Sequence, residues 1–452
     1  MKDLKRNKNI GRFNKMDSKK NVILLTVDCL RADHLSCMNY PKNITPELDN
    51  ISKDGMLFTN VISNAPHTYF SVPSFFTSTV PPVSKKSTYT LMRHLKNNGY
   101  ATASFNPNPI LISNAATGGW DVRKDFDTYE VFLNEKKLSK IKLQILRIVL
   151  MSNFRNFFKE NGIIHNVAFK IFDKLIKRVP SIFCYSEDIK VPRAPVLNKE
   201  AINWIKNQKN NYFVWIHYMD VHDPYVPVHY ENRRYMLYLV TKYRDFPNKL
   251  SKEEIQELIK LYDLEIEYTD RAIGEFIKEL KKQDLLKDTI ILISADHGDA
   301  FNEHGTLGHG TKLPPKLYHE NIHVPFIIYG LEKGKKIGNQ FDLLGLSPTI
   351  CDILNIESPP SFFGKSFFKS LNQPIISRCE LSIAFLKDGY KLIIYNDETL
   401  ENELYNLKTD PLEKQNIYEK NPKISKSMES DMISLLNSYK KKRKLLEIPK
   451  TD

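Results

Sequence analysis

The chain repeats one pattern that few folds can satisfy: a short, uninterrupted apolar run that ends close to an acidic or imidazole side chain. NVILLTV, from Asn21 to Val27, is followed by Asp28, and TIILISA is followed by Asp296 and His297. NYFVWIHY leads shortly into Asp220 and His222. Runs this short and this apolar read as strands buried on both faces, as in a parallel sheet. YATASF and HVPFIIYG read the same way. Helical patterns lie between them. TPELDNISKDG, from Thr45, reads as a capped helix closing at Gly55. SKEEIQELIKLYDLEIEYTDRAIGEFIKELKKQ reads as a long amphipathic helix, with Ser251 as N-cap and Glu254 completing a capping box. This alternation predicts an α/β fold, a large mostly parallel sheet sandwiched by helices, with a small C-terminal α+β unit.

In such sheets ligands gather at the carboxyl ends of the strands. Asp28, the Asp220 and His222 pair, and the Asp296 and His297 pair leave three strands at that edge, so they can converge. Two aspartates and a histidine around one ligand suit a divalent cation. Each feature alone is weak, because an Asp after a strand is usually a helix cap. Their shared order, spacing and strand context point to a site.

The predicted organisation has three parts. Residues 1–20 form a flexible basic arm, 21–374 a catalytic unit, and 375–452 the small terminal unit. Within the second part, 136–193 reads as a helical insertion that sets basic residues among Leu, Ile and Phe. It covers the core, or offers a basic amphipathic face to a membrane or substrate. The net charge of +13 serves solubility or attracts anionic partners. No DNA- or RNA-binding motif is present, so nucleic acid is not an expected partner. The five cysteines are odd in number and form no CxxC pair, which favours a reducing compartment over a disulfide framework. Val22 to Val27 is too short for a signal segment. The expected location is cytoplasmic, with peripheral contact to an anionic membrane as the second option.

VDCLRADHL, SVPSFFTS, HYMDVHDPY, SADHGDAFNEHG with LGHG, and NIHVPFIIYG follow one another in this order. They resemble the successive motifs of the sulfatase family within the alkaline-phosphatase superfamily. FDLLGLSPTICDILNI and ELYNLKTDPLEKQN resemble its later segments. The resemblance implies an alkaline-phosphatase-like fold. It also implies metal-dependent hydrolysis of sulfate esters or related phosphate esters, by in-line attack of a metal-activated nucleophile. Asp28, Asp296 and His297 take the positions of metal ligands, with Ser71 as a fourth. Ser71, in Ser-Val-Pro-Ser, takes the place of the nucleophile at a helix start. Thr68 in the same loop is its rival, ranked second because only Ser71 fits the spacing to Pro73 and Ser74. His222 and His309 take catalytic positions facing the substrate, where they stabilise the transferring group or protonate the leaving oxygen. The implied partner is an anionic ester: a sulfated or phosphorylated glycan, lipid or small molecule.

Two residues depart from the family pattern. Cys29 stands where many sulfatases carry a second aspartate, and Phe75 stands where formylglycine-forming members carry arginine. The first lowers the charge of the site. Calcium is the cation expected of a true sulfatase; zinc or manganese suits phosphate chemistry on this donor set. Cys29 itself reads as a buried inert thiol. The second departure disfavours formylglycine at Ser71. A phospho-alcohol transferase of the phosphoethanolamine or phosphoglycerol type, or a phosphodiesterase, would use the same residues and is the alternative. A non-catalytic binding homologue is the minor one. Arg31 and Asp33 read as a pair across a turn, Glu303 and His304 as groups that order a loop, and Lys312 and Lys316 as solvated loop residues.

Overall fold

The computed structural model describes residues 21–83, 89–108, 111, 122–130, 192–245, 247–309, 317–369 and 372–445. The arm, nearly all of the insertion expected at 136–193, and Lys312 and Lys316 lie outside the described residues.

Nine strands form the main sheet: β1 Asn21–Val27, β2 Gly55–Ile62, β3 Ala101–Phe105, β4 Thr128–Glu130, β5 Tyr212–Tyr218, β6 Thr289–Ala295, β7 His323–Tyr329, β8 Lys335–Ile337 and β9 Phe341–Asp342. Their order is β4-β3-β5-β1-β6-β7-β2-β8, with β9 paired to β2. Among the described strands of this sheet only β7 runs against its neighbours. β1, β5 and β6 are buried almost throughout, which is why they read as unbroken apolar runs and not as alternating ones. Val27 pairs with both Tyr218 and Ala295. The three central strands therefore end level with one another.

Helices α1 Pro46–Lys53, α2 Thr68–Thr77, α3 Leu91–Asn97, α4 Ala194–Lys206, α5 Arg233–Asp245, α6 Lys252–Lys282, α7 His319–Ile322 and α8 Leu346–Ile353 accompany the sheet. Both faces are covered. Trp215 and Tyr218, three residues apart on β5, point to opposite faces. Trp215 meets Phe76 of α2 edge-on at 4.8 Å, whereas the Tyr218 hydroxyl donates to Asn198 of α4 at 2.6 Å. The capping box at Ser251 is present: its hydroxyl accepts from the Glu254 N–H, and Glu254 accepts from the Ser251 N–H. No helix among the described residues is long and apolar enough to cross a membrane.

A second, antiparallel sheet opens at Ile375, with β10 Ile375–Arg378, β11 Ser382–Lys387, β12 Tyr390–Tyr395 and β13 Glu403–Asn406. Alternate residues serve two cores. Ile376, Phe385, Leu392 and Leu404 pack with Met428 and Met432 of α9 Pro422–Leu445. Ala384, Leu386 and Ile393 pack with Ile62, Tyr318 and Ile322 of the main unit. A buried polar fastener sits at this second face. Glu413 accepts from the His319 backbone N–H at 2.9 Å and its Nδ1 at 2.7 Å, and pairs with the fully buried Lys391 at 2.7 Å.

Candidate active site

Asp28 and Asp296 are each the first residue beyond neighbouring strands, so register alone sets them side by side. Both are fully buried, as is His297. Gly298 must follow, because a side chain there would strike the Glu320 carbonyl at 2.1 Å. The His297 Nδ1–H donates to the Gly298 carbonyl at 2.8 Å. Its Nε2 therefore carries a lone pair, and burial together with the nearby His309 keeps the ring neutral by pushing its pKa well down. That lone pair faces Asp28 Oδ1 at 3.4 Å and Asp296 Oδ2 at 3.5 Å. Asp296 Oδ2 is buried and accepts no hydrogen bond. Three electron-rich groups facing one another without a shared proton fit a cation between them, so this donor set suits a bound divalent metal.

The charges agree with this reading. Burial alone would raise the Asp28 carboxyl, but the nearby His222 and the hydrogen bond from His217 hold it well below the usual carboxylate range. Asp296 moves the other way, raised by burial and by the charge of Asp28.

The hydroxyl that reaches this centre is that of Thr68. Its Oγ1 lies 3.4 and 3.3 Å from the Asp28 oxygens and 3.1 Å from His297 Nε2. Thr68 opens helix α2, whose N-cap is the extended His67. Ser71 lies one turn further in, so the helix does not start where Ser-Val-Pro-Ser suggested. Its hydroxyl is buried and has no hydrogen-bond partner. Phe75 is buried in the main core and packs on Phe76 at 4.6 Å. It lines no charged site.

His222 and His309 form the facing wall, with ring centroids 4.9 Å apart. His222 Nδ1 donates to the Asp223 carbonyl at 2.6 Å. His309 Nδ1 lies 3.1 Å from Asp299 Oδ1, and Asp299 Oδ2 accepts from the Tyr225 hydroxyl. Burial opposes the charged His309, but Asp299 outweighs it and lifts the imidazole to about 9. Cys29 lies between the two halves. It adopts φ 64, its carbonyl is pinned by the Tyr262 hydroxyl at 2.7 Å, and its Sγ lies 3.2 Å from Asp28 and 3.4 Å from His309 Nδ1. Burial and Asp28 raise the thiol pKa well above normal.

Asp220 does not join the cluster. It accepts from the Ala194 N–H at 3.1 Å and pairs with Arg193 at 2.6 Å, fixing the start of α4. Arg31 pairs with Asp33 as expected and also reaches Glu303 and the Asp299 carbonyl. His304 pairs with Glu320 at 2.7 Å and stacks on Tyr318.

Two contributors lay outside the sequence reading. His217, inside β5, has Nε2 at 3.2 Å from Asp28 Oδ2. In its neutral form a relay orients it: the Trp215 N–H donates to Thr26 Oγ1 at 2.9 Å, and that hydroxyl donates to His217 Nδ1 at 2.8 Å. The Asn108 amide also donates to Asp28, at 3.1 Å. His217 lies inside its apolar run, and Asn108, three residues past β3, is an amide and not an acidic or imidazole group, so that signal could not find them. The loop before Thr68 is held from afar. The Asn64 amide donates to the Ile376 carbonyl at 2.9 Å, the Asn64 carbonyl accepts from the Arg378 N–H at 2.8 Å, and His67 Nε2 meets Glu380 at 3.3 Å.

A doubly covered, mostly parallel sheet with Asp, Asp, His and a helix-start hydroxyl at its carboxyl edge defines an alkaline-phosphatase-like protein. The sulfatase family profile matches residues 20–356, and the chain belongs to the sulfatase family. It is similar to human arylsulfatase K, 28% identical over 212 residues, which cover 42% of this chain and 39% of that protein. It is also similar to a sulfatase of Formosa agariphila, 24% identical over 47% of this chain and 48% of that one. The chain thus spans well under two thirds of the length of these relatives. Among solved structures, the phosphonate monoester hydrolase of Agrobacterium radiobacter shares the fold, with TM-score 0.66 and 16% identity over 93% of this chain and 96% of that one. So does an enzyme solved with its substrate D-glucosamine-2-N,6-O-disulfate, with TM-score 0.64 and 14% identity over 94% and 99%.

Proposed function

We propose that this protein hydrolyses an anionic sulfate ester, or a closely related phosphate ester, with Thr68 as the nucleophile. The observation that carries this reading is the position of Thr68 Oγ1 between Asp28 and His297 at the start of α2. A divalent cation held by Asp28, Asp296, His297 and Thr68 would supply Lewis acidity toward the hydroxyl and the ester oxygens. This mixed donor set suits zinc or manganese better than calcium, which prefers six to eight oxygens. The Thr68 hydroxyl gives its proton to solvent as Oγ1 attacks sulfur or phosphorus, and the bond from that atom to the leaving oxygen, in line with the attack, breaks. The N-terminal dipole of α2 favours the anionic ester there. His222 and His309, on the facing wall, meet the charge that spreads onto the ester, and one of them returns a proton to the leaving oxygen. Water then releases the ester from Thr68. The family and the neighbour bound to D-glucosamine-2-N,6-O-disulfate support a sulfated sugar or small sulfate ester as the substrate class.

One observation favours the phosphate reading. Thr68 carries a secondary alcohol, which cannot become formylglycine and must leave as an ordinary alkoxide. Phosphoryl chemistry on an unmodified hydroxyl accommodates this.

The test is turnover of nitrophenyl sulfate and nitrophenyl phosphate by Thr68→Ala and Ser71→Ala proteins with zinc or manganese. Loss of the nucleophile costs on the order of 10⁴–10⁶ in kcat, and this loss is expected for Thr68→Ala. Ser71→Ala is expected to stay within about tenfold of the parent. The reverse pattern would return the role to Ser71.

A further inference from the structure

The chain from Asp299 to His309 folds into a short hairpin that carries these two residues at its ends. Phe301 pairs with Leu307, the Gly308 N–H donates to the Ala300 carbonyl at 2.8 Å, and the Asn302 N–H donates to the Thr306 carbonyl at 2.8 Å. The tip is anchored by two neighbouring residues. Glu303 pairs with Arg31, in the loop after β1. His304 reaches α7 and the segment after β13 instead. Its Nδ1 lies 2.7 Å from Glu320 Oε1, and its Nε2 lies 3.2 and 3.1 Å from the Leu412 and Glu413 carbonyls.

All three of these partners are acceptors. A neutral imidazole has one N–H and one lone pair, so it would set the lone pair against either a carboxylate or two carbonyls. Filling every contact takes an N–H on both nitrogens, which is the imidazolium. The surrounding charges agree. Glu320 faces the ring from α7 and is buried. The Glu413 carboxylate is paired with Lys391 and His319. Tyr318 stacks on the ring at 3.7 Å while its hydroxyl donates to Glu403, and Lys391 Nζ lies 5.9 Å from the centre of the Tyr318 ring. On the hairpin itself, Glu303 is paired with Arg31. Burial opposes a charge on His304, but Glu320, aided by Glu413, outweighs it and raises the imidazole above its ordinary value.

We propose that His304, as the imidazolium, is a positioning residue: it clamps the hairpin tip to the C-terminal unit and so sets where His309 stands in the active site. Loss of its proton opens one side of the clamp. A raised imidazole contributes its stabilisation fully below the unfolded value of about 6.5 and loses it as pH rises through the folded value. The hairpin is therefore held firmly in acid and loosens on the alkaline side. The clamp stands on the contacts of His304 alone; its effect on turnover rests on the reading of His309 as a substrate-facing group.

The experiment is hydrogen exchange of the full chain across pH, read as protection factors of the amides from Ala300 to Gly308, which divide out the intrinsic pH dependence of exchange. In the parent, protection should fall by about tenfold as the clamp opens, in keeping with the loss of one hydrogen bond to a charged group, while β1 stays unchanged. His304→Gln cannot donate at both ends of the clamp and should show the low value at every pH. Glu320→Gln offers a neutral ring an amide donor in place of the carboxylate, so it should stay protected on the alkaline side. It also tests the clamp should His304→Gln fail to fold. Protection in the parent that ignores pH, a His304→Gln protein that follows the parent's curve, or an alkaline loss retained in Glu320→Gln overturns the proposal. On the acid side, kcat for nitrophenyl ester cleavage should drop by about tenfold in His304→Gln, with bound metal unchanged, as reacting groups lose their alignment. An unchanged kcat overturns the positioning role. The expected protection pattern in a parent without turnover supports the clamp and refutes the proposed function.

Discussion

At the scale of single residues, the site joins groups with opposite electrostatic needs, and His217 shows how they are reconciled. It touches the most constrained carboxylate, Asp28, from inside the sheet, at a distance fixed by the relay from Trp215 through Thr26. It is a positioning residue. Groups that orient a metal ligand typically carry about 10–100-fold in metal affinity. We therefore expect His217→Ala to weaken zinc or manganese binding by that factor, as measured by equilibrium dialysis, while the parent's metal stoichiometry is kept at saturation. Unchanged affinity would reduce His217 to a core residue. Asp28, Asp296 and His297 were legible in the sequence because each follows an apolar run directly. His217 was hidden because a buried imidazole among Phe213, Trp215 and Tyr218 reads as core. Thr68 was legible only as a rival, and Pro73 explains why. Proline favours the first helical position, so Ser-Val-Pro-Ser looks like a helix start, whereas here Pro73 lies inside a helix that begins at Thr68.

At the scale of elements, the strands were easier to read than their directions. β1, β3, β5, β6 and β7 appear where the apolar runs predicted them. β2 was missed, and β7 turned out antiparallel. Apolar content reports burial and not direction, so nothing in HVPFIIYG could show that. The fastener between the two sheets is also an element-level device. Burial opposes ionisation of Glu413, but Lys391 and His319 outweigh it and depress its pKa well below the usual range. A depressed carboxylate pKa adds stability that is present above the unfolded value of about 4.3 and is lost as pH falls below it. Glu413→Gln leaves the Lys391 charge buried without its counter-charge, which costs about 3–5 kcal/mol. We expect this variant to melt well below the parent at pH 7, with the difference narrowing as pH falls from about 4 toward 2. A difference independent of pH would remove the ion pair from the account.

At the scale of the whole molecule, the proposed cation centre lies where three buried strands end, so cation binding there would couple to core stability. A cation at about a hundred times its dissociation constant stabilises the folded chain by about 2.7 kcal/mol. Chelation should lower the thermal midpoint of the parent protein and shift the midpoint of Asp296→Asn much less; equal shifts would place the stabilising cation elsewhere. The division into a large parallel unit and a small antiparallel one was visible as a change of texture near Ile375. What the sequence could not show is that the second unit reaches back to the first at Asn64 and His67. That connection has a consequence for biogenesis. Glu380 lies 313 residues downstream of His67, and chains emerge and fold from their N-terminal end first. A ribosome therefore makes the Thr68 loop early and its anchors late. The growing chain carries Thr68 in a segment without these braces until Arg378 and Glu380 have been made, so the hydroxyl proposed as nucleophile is fixed in place only after some three hundred further residues.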